Sequence, residues 1–296
     1  MSAADIRVVH TNGVRLHVRV AGPDDGPLVL LLHGFPEGSY GWRHQVPYLA
    51  GAGYRVWAPD QRGYGASDKP ERIAAYGLDA LADDAEGLID GAGRRHAVVV
   101  GHDWGGVVAW HLARRSPQRV SKLVVLNVPH PSVMRAHLRT NLAQFRRSLY
   151  VLAFQVPRLP ERALGRHDGW ALARAMVRTS RPGTFSEVDI AAYRRTWSGT
   201  NALRAMLDWY RAALRHPPAR GSASRITVPT LLVWGAQDRF LGSEMAQPSI
   251  ELCDDGRLVV IDDATHWLQH EEPDMINALI DGFVRGGGVE PTDANA

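Results

Sequence analysis

The stretch AVVVGHDWGG, residues 97–106, decides how this chain folds. Its first four residues are apolar and predict a buried strand, and a helical segment begins directly at Gly105. A strand that passes into a helix so quickly needs a sharp turn, and Gly101 and Gly105 remove the side chains that would collide there. Asp103 is therefore predicted to lie at the turn. The alternative is a glycine-rich turn in which Asp103 only caps the helix.

Apolar runs of the same kind recur on both sides of this stretch. Residues 14–20 alternate between apolar and polar side chains, and Asn12-Gly13 before them predicts a tight hairpin turn. The other runs are continuous, as in strands that are buried on both faces. The predicted strands are residues 14–20, 28–32, 55–58, 97–100, 123–126, 231–234 and 258–261, and the predicted helices are 78–89, 105–115 and 275–284. This alternation predicts an α/β fold with a mostly parallel sheet flanked by helices.

The alternation stops after Leu126. Between residues 131 and 221 the sequence has no buried-strand run, only helical stretches such as 134–150 and 202–214 that prolines separate. A helical insertion between two strands predicts a cap over the carboxyl edge of the sheet, where open sheets bind ligands. The predicted organisation is a core of residues 1–130 and 222–286, a helical cap of residues 131–221, and a flexible tail of residues 287–296.

Charge is spread unevenly along the chain. The net charge is +3, yet residues 131–220 hold sixteen arginines, no lysine and five acids, which is a net +11 and leaves −8 for the rest. A basic surface can attract nucleic acid or anionic lipid. No nucleic-acid motif accompanies the arginines, so the sequence favours a solvated face of the helical insertion and no nucleic-acid partner.

Composition excludes several classes of protein. With 296 residues, 45% hydrophobic and 22% charged, the chain has the composition of a globular protein. The single cysteine, Cys253, excludes an internal disulfide and a multi-cysteine zinc site. No apolar run reaches the roughly 18 residues of a membrane span, and the first residues lack the pattern of a secretory signal. The expected location is the cytoplasm.

Asp103 has two candidate partners further along the chain. In the related turn Gly-x-Ser-x-Gly the central serine is a nucleophile, and an acid and then a histidine follow it in the chain. Here Asp238 follows an apolar strand run, and His266 lies in the loop before the last helix. An aspartate nucleophile attacks saturated carbon and leaves an ester, which water must cleave. We expect His266 to activate that water and Asp238 to hold the imidazole. Asp262 and Asp263 are nearer to His266 in the sequence, but nearness along the chain does not place a side chain against the ring, so we do not assign them this role.

The segment His33-Gly-Phe-Pro-Glu37 follows another buried strand and supplies a third part of the site. Ester hydrolysis builds negative charge on an oxygen of a tetrahedral intermediate, and the backbone N–H groups of Phe35 and Trp104 are the candidate donors to this oxyanion. One such donor typically lowers the barrier by about 3 kcal/mol. Glu37 is a candidate for ordering water. The alternative is an ordinary loop between a strand and a helix.

Several motifs together resemble one family. They are His33-Gly-Phe-Pro-Glu37, Trp42-Arg-His-Gln-Val-Pro47, Gly53-Tyr-Arg-Val56, Asp60-Gln-Arg-Gly-Tyr-Gly-Ala-Ser67 and Gly101-His-Asp-Trp-Gly-Gly106. With them the chain resembles the epoxide hydrolases of the α/β-hydrolase fold, above all the hydrolase domain of soluble epoxide hydrolases and its bacterial relatives, over about residues 5–285. The resemblance implies that an epoxide and water are the partners, with neither a metal nor an organic cofactor.

The resemblance also implies two cap tyrosines that donate to the epoxide oxygen. The sequence Asp208-Trp-Tyr-Arg211 resembles a family signature and nominates Tyr210. The family's other tyrosine stands four residues before Phe-Gln, which nominates Tyr150, with Tyr193 in reserve. A phenol, with a pKa of about 10, stays protonated at neutral pH and can donate to a developing alkoxide. The aromatic residues expected to bind the substrate are Trp42, Phe154, Trp209 and Trp267.

The implied reaction passes through a covalent intermediate. Asp103 opens the epoxide and forms a hydroxyalkyl ester, and water activated by His266 hydrolyses the ester to release a vicinal diol. Detoxification, lipid signalling and biosynthesis all suit such a reaction, and neither the particular epoxide nor the oligomeric state follows from the sequence.

Three other functions compete with this interpretation. A haloalkane or haloacid dehalogenase would use the same Asp103 nucleophile, with Trp104 as a halide donor, but Phe35 stands where one dehalogenase branch has asparagine. A serine esterase is excluded because position 103 is aspartate and the chain has no Gly-x-Ser-x-Gly. A non-catalytic binding protein is disfavoured, since a decayed site normally loses at least one of these residues.

Overall fold

The computed structural model describes residues 5–218 and 225–286. The predicted boundary between cap and core at residues 221 and 222 and the predicted tail of residues 287–296 lie outside this part of the chain. No helix in the two described ranges has the length and apolar character needed to cross a bilayer.

Eight strands of the described chain form one sheet. They are β1 (Asp5–Thr11), β2 (Val14–Ala21), β3 (Leu28–Leu32), β4 (Arg55–Pro59), β5 (Ala97–His102), β6 (Val120–Leu126), β7 (Thr230–Gly235) and β8 (Gly256–Ile261). Their order is β1-β2-β4-β3-β5-β6-β7-β8, antiparallel for the first two pairs and parallel for the rest. The mostly parallel sheet is confirmed, and its carboxyl ends meet at one edge.

Helices connect and cover these strands. Those of the described residues are α1 (Gln45–Gly51), α2 (Leu78–Gly91), α3 (Trp104–Arg115), α4 (Pro131–Thr140), α5 (Leu142–Arg147), α6 (Leu149–Ala153), α7 (Leu159–Gly165), α8 (Trp170–Thr179), α9 (Glu187–Trp197), α10 (Ala202–Arg215), α11 (Ala246–Ile250), α12 (Leu268–Glu271) and α13 (Pro273–Arg285). Short 3-10 helices span Ser39–Trp42, Ile73–Tyr76, Pro117–Arg119 and Ser243–Met245.

The strands β3, β4, β5 and β7 are buried on both faces of the sheet. Successive residues of a strand point to opposite faces, and β3 shows what covers each one. In β3, Leu30 and Leu32 pack in an apolar cluster with α2 and α3, whereas Val29 and Leu31 pack in a second cluster with α1 and α13. Each of these four side chains is at most 1% exposed, and burying one stabilises the fold by roughly 1.5–3 kcal/mol. The continuous apolar runs of these strands therefore lie between two helical layers, as predicted. The run of the edge strand β8 does not, since Val260 is 45% exposed.

The edge strand β1 is the one that the sequence pattern did not predict. It pairs antiparallel with β2 across Asn12 and Gly13, whose φ angles of 46° and 74° suit the predicted hairpin turn. Ile6 and Val8 of β1 are exposed. Because its apolar residues do not alternate between a buried and a solvated face, no period of two marks the strand.

Among the described residues, seven helices, α4 to α10, stand between β6 and β7 in the region predicted to form the cap, and they are called the cap below. The prediction of one helix over residues 134–150 is wrong, because Asn141 and Ser148 interrupt it. The side-chain oxygen of Asn141 accepts hydrogen bonds from the N–H groups of Ala143 and Gln144 at 2.9 and 3.1 Å. This N-cap starts a new helix, α5, while the apolar spacing continues across the break.

We expect Gly105→Ala to destabilise the protein strongly. A Cβ at Gly105 would lie 2.0 Å from the carbonyl oxygen of Leu32, so β3 and α3 would have to separate. The free energy of unfolding, measured by urea titration, should fall by about 3 kcal/mol or more. Gly282→Ala is the matched control, since Gly282 lies in α13 with open space around it and should stabilise the helix by about 0.5–1 kcal/mol. An unchanged urea midpoint for Gly105→Ala would contradict the close packing.

Candidate active site

Asp103 lies at the junction of β5 and α3 with φ 49° and ψ −120°. A residue other than glycine rarely adopts a positive φ, and the strain costs of order 1–3 kcal/mol. A Cβ on Gly101 would lie 2.4 Å from the carbonyl oxygen of Gly105, so the turn needs both glycines. The Asp103 side chain makes no capping hydrogen bond to α3. The predicted sharp turn is confirmed. The alternative, in which Asp103 only caps the helix, is wrong, because its side chain makes no capping bond.

The carboxyl edge of the sheet brings Asp103 together with its two predicted partners. Nδ1 of His266 lies 2.7 Å from Oδ2 of Asp238, which follows β7, and Nε2 of His266 lies 3.8 Å from Oδ2 of Asp103. Oδ1 of Asp238 accepts the backbone N–H groups of Phe240 and Leu241 at 2.7 and 3.0 Å. The imidazole therefore bridges two carboxylates, and Asp238 holds it at the nitrogen remote from Asp103.

The two carboxylates set the protonation state of His266. Burial alone would lower the pKa of the imidazole, but the charge and hydrogen bond of Asp238, with the charge of Asp103, raise it to about 9. His266 is thus an imidazolium at neutral pH in the free protein. Since its unfolded pKa is about 6.5, this interaction stabilises the fold fully below that pH, and its contribution is lost as the pH rises through about 9.

The loop after β3 presents a backbone donor to the same carboxylate. The N–H of Phe35 donates to Oδ1 of Asp103 at 2.8 Å. Gly34 permits this approach, because a Cβ there would lie 2.6 Å from that oxygen. The following bond, Phe35–Pro36, is a cis peptide. Trp104 is the first residue of α3, where backbone N–H groups have no acceptor within the helix. Both predicted oxyanion donors therefore lie beside Asp103.

The two predicted tyrosines come from the cap. Tyr210 of α10 is buried, and its ring centroid lies 5.3, 5.0 and 6.0 Å from those of Phe35, Trp104 and Tyr150. Burial, then the neighbouring Tyr150 and the charge of Asp103, raise the pKa of Tyr210 well above its usual value. Tyr150 of α6 is 37% exposed, and burial of its phenol and the charge of Asp103 also raise its pKa. Both phenols stay protonated at neutral pH.

Hydrogen bonds to other elements fix the rotation of α10. Asp208 pairs with Arg204 at 2.8 Å and with Arg211 at 3.0 Å within the helix. Arg204 also donates to a backbone carbonyl of the core, and Arg211 to one at the end of α6, each at 3.0 Å. The indole N–H of Trp209 donates to a backbone carbonyl of the core at 2.9 Å. With Asp208 and Trp209 held in this way, the next residue, Tyr210, points its ring at Phe35 and Trp104.

Three of the four aromatic residues predicted to bind the substrate lie beside these groups. The ring centroid distances are 5.1 Å for Phe154 to Tyr210, 5.2 Å for Trp267 to His266 and 5.9 Å for Trp209 to Trp104.

Two other predicted residues lie elsewhere. Trp42 packs in the apolar cluster of α1 and α13 and, among the described residues, makes no ring contact with the groups around Asp103, unlike the other three. It lies in the core, and its role in substrate binding stays a prediction. A large aromatic side chain has the same sequence signature in either place. The hydroxyl of Tyr193 is buried and donates to Oε1 of Glu37 at 2.7 Å, so of the cap tyrosines nominated from the sequence Tyr150 is the one beside Tyr210.

Sequence reasoning missed a buried network around Glu37. Nε2 of His270 donates to Oε1 at 2.8 Å, and Nε2 of Gln269 donates to Oε2 at 3.2 Å. Nδ1 of His102 lies 3.3 Å from Oε2, while its Nε2 donates to the carbonyl of His266 at 2.9 Å. Burial opposes ionisation of Glu37, but the charges and hydrogen bonds of His270 and His102 hold its pKa well below the usual range. An ionised carboxylate is thus linked through His102 to the backbone of His266.

A weak signal for this network was present in the sequence. His102 directly precedes Asp103, and His270 stands four residues after His266. A single histidine is no more typical of such a network than of a surface, so only the folded geometry identifies these two.

An α/β sheet with a carboxylate at the turn after β5, an acid after β7 and a histidine after β8 defines a class of hydrolase. The chain belongs to the α/β-hydrolase fold family, which matches it over residues 27–273. The predicted fold class is confirmed.

Individual relatives narrow this class. The chain is 46% identical to the AB hydrolase superfamily protein YfhM of Bacillus subtilis over 95% of this chain and 98% of that protein. It is 36% identical to Epoxide hydrolase A of Mycobacterium tuberculosis over 97% of this chain and 99% of that protein. A crystal structure of a Bacillus megaterium epoxide hydrolase in complex with an inhibitor superimposes with a TM-score of 0.86 at 30% identity, over 94% and 100% of the two chains. The resemblance to epoxide hydrolases is confirmed.

The titration of His266 tests the electrostatics of the site. We expect its ring to titrate with a pKa of about 9 in NMR spectra of the protein, because Asp238 and Asp103 both favour the imidazolium. Asp103→Asn removes one of these charges and should lower the pKa by about one unit or more. Asp262→Asn changes an acid nearby in sequence that makes no bond to the ring, and should leave the pKa where it is. A wild-type pKa near 6.5, or no change in Asp103→Asn, would show that the carboxylates do not act on the ring.

Proposed function

We propose that the protein hydrolyses an epoxide to a vicinal diol. The observation that carries the proposal is the pair of protonated cap phenols, Tyr150 and Tyr210, beside the carboxylate of Asp103. This pairing suits a strained cyclic ether, since opening the ring puts negative charge on an oxygen that must gain a proton. Relatives named epoxide hydrolase that share 36–38% identity with most of this chain support the same activity.

The first step forms a covalent ester on Asp103. The ring oxygen accepts hydrogen bonds from Tyr150 and Tyr210, and one ring carbon faces the carboxylate. A carboxylate oxygen of Asp103 attacks that carbon, the carbon–oxygen bond of the ring breaks, and its electron pair moves to the ring oxygen. A phenol gives this oxygen its proton. The products of the step are a hydroxyalkyl ester and a phenolate.

The second step depends on a change in the pKa of His266. In the free protein the charge of Asp103 is one of the causes that raise this pKa to about 9, so the ring is protonated and cannot act as a base. Ester formation removes that charge, and the pKa falls. His266 can then pass its proton towards the phenolate and accept one from water, while Asp238 keeps the ring oriented.

Water attacks the carboxyl carbon of the ester and not the alkyl carbon. The N–H of Phe35 already lies 2.8 Å from Oδ1 of Asp103, so this donor is in place when the oxyanion forms. The N–H of Trp104 is the second donor. Collapse of the tetrahedral intermediate expels the alkoxide, which takes the proton of the new carboxyl group and leaves as the diol. Asp103 is then a carboxylate again, and His266 keeps the proton that it took from water.

The alternative, a haloalkane or haloacid dehalogenase, uses the same attack by Asp103 with halide as the leaving group. The indole of Trp104, 5.0 Å from the Tyr210 ring centroid, is its one supporting feature. The site presents two phenols where a dehalogenase would need a pair of N–H donors to bind the halide. This favours an epoxide as the substrate. Action in the cytoplasm, a role in detoxification, and domain limits at residues 131 and 221 stay predictions.

Styrene oxide and 1-bromobutane, assayed separately, distinguish the two activities. We expect diol from styrene oxide and no bromide release above background, because the cap offers acidic hydroxyls. Tyr210→Phe removes one donor and should lower kcat for diol formation by about 100-fold or more. Tyr48→Phe is the matched control, since Tyr48 is 41% exposed on α1 and should keep the wild-type rate. Bromide release as fast as diol formation, or a wild-type rate in Tyr210→Phe, would refute the proposal.

The covalent ester can be trapped. We expect His266→Gln to attack an epoxide but hydrolyse the ester very slowly, because no base activates the water. Intact-protein mass spectrometry after mixing with styrene oxide should then show a mass increase of one substrate molecule, located by peptide mapping on Asp103. His266→Gln combined with Asp103→Asn should show no increase. A modified residue other than Asp103, or no adduct in His266→Gln, would assign the nucleophile or the base elsewhere.

A further inference from the structure

The outer surface of the cap carries a stripe of large apolar side chains. Leu142 and Phe145 lie on α5, Leu149 and Leu152 on α6, and Val156 in the bend after α6. They are spaced three and four residues apart along the chain, and each is 43–62% exposed. Exposed apolar residues that occur singly need no explanation, but a contiguous row of them marks an interaction surface. These five residues are called the cap stripe below.

Unpaired positive charge surrounds the cap stripe. The chain has no acid between residues 104 and 160, and residues 131–160 contain five exposed arginines. None of the five lies within salt-bridge distance of a carboxylate in the part of the chain that the structure describes, unlike Arg204 and Arg211, which pair with Asp208. The five residues are Arg135, Arg139, Arg146, Arg147 and Arg158.

We propose that the cap stripe and its arginines bind the surface of an anionic lipid bilayer. A row of leucine and phenylalanine side chains flanked by arginines, without acids, is typical of helices that lie in the plane of a membrane interface. The apolar side chains enter the boundary between headgroups and acyl chains, and the guanidinium groups contact the lipid phosphates. The sequence alone favoured a solvated face, and the exposure of the apolar row is what changes that interpretation.

A second copy of the chain fits this surface less well. A symmetric dimer through the cap stripe would place the arginines of one copy against those of the other. The exposed acid beside the stripe, Glu244, which accepts a hydrogen bond from Asn141 at 3.0 Å, is one charge against five arginines. A nucleic acid would satisfy the arginines but leave the apolar row in water. An anionic bilayer satisfies both parts.

Lipid binding would place Tyr150, the phenol that donates a hydrogen bond to the substrate, next to the membrane. Tyr150 lies on α6 between Leu149 and Leu152 of the cap stripe. An apolar epoxide dissolved in the bilayer would meet the cap at the helix that carries this phenol. This consequence rests on the proposed function, whereas the binding itself does not, so the two can fail separately.

Vesicle flotation tests the binding. We expect the wild-type protein to float with phosphatidylglycerol–phosphatidylcholine vesicles at low ionic strength, and at least tenfold less with pure phosphatidylcholine vesicles. Arg146→Gln/Arg147→Gln should weaken binding to the anionic vesicles by roughly 30-fold, since each arginine near such a surface contributes about fivefold. Leu142→Ser/Leu152→Ser should weaken it by roughly tenfold or more.

Matched controls come from another helix of the cap. Val188→Ser and Arg195→Gln change an exposed apolar residue and an exposed arginine of α9, outside the cap stripe, and should float like the wild type. Thermal unfolding and turnover of a water-soluble epoxide should be unchanged in every variant, which separates loss of lipid binding from loss of folding or activity.

Four results would overturn the proposal. They are absence of wild-type flotation with anionic vesicles, flotation of both double variants like the wild type, binding to soluble heparin as tight as to the vesicles, and a dimer in light scattering that Leu142→Ser/Leu152→Ser abolishes.

Discussion

The contact between Gly105 and the carbonyl of Leu32 is the constraint on which the site depends. It lets α3 begin directly against β3, and it leaves Asp103 with a φ of 49°. Strain of order 1–3 kcal/mol at this residue is tolerated because both elements are buried in the core of the sheet. The Asp103 side chain is thereby directed at groups from distant parts of the chain, namely the N–H of Phe35 at 2.8 Å and the imidazole of His266 at 3.8 Å.

The two carboxylates beside His266 have unequal surroundings, and this difference supports the different roles proposed for them. Asp238 is fully engaged, since one oxygen binds the imidazole at 2.7 Å and the other accepts the N–H groups of Phe240 and Leu241. Asp103 accepts one hydrogen bond, from Phe35, within the described residues. An oxygen with fewer hydrogen bonds is the better nucleophile, because less solvation is lost when it attacks. In the proposed mechanism Asp238 therefore orients the base, and Asp103 is the carboxylate that reacts.

Most of the core, and the residues at the centre of the candidate active site, were predictable from the sequence because they depend on local patterns. The apolar runs of β3 and β5, the glycines around Asp103, and the chain order of Asp238 and His266 all lie in short segments whose chemistry is specific. The break of the first cap helix at Asn141 was not predictable, since it depends on a side chain that bonds its own backbone while the apolar spacing continues. The partners of Glu37 were out of reach for another reason. They come from segments far apart in the chain, and only tertiary packing brings them together.

Anchoring of the cap is uneven, and this follows from where its polar groups are buried. Helix α9 is tied to the loop that carries Phe35, because Tyr193 donates to Glu37 at 2.7 Å and the indole of Trp197 donates to the carbonyl of Pro36 at 2.6 Å. Moving α9 would leave a buried carboxylate short of a donor, at a cost of about 1–3 kcal/mol. Helix α6, in contrast, has no buried residue. Local opening requires least free energy where fewest groups are buried. The proposed oxyanion donor, Phe35 of the core, therefore lies next to the firmly anchored part of the cap, and Tyr150 lies on the cap helix that is buried least.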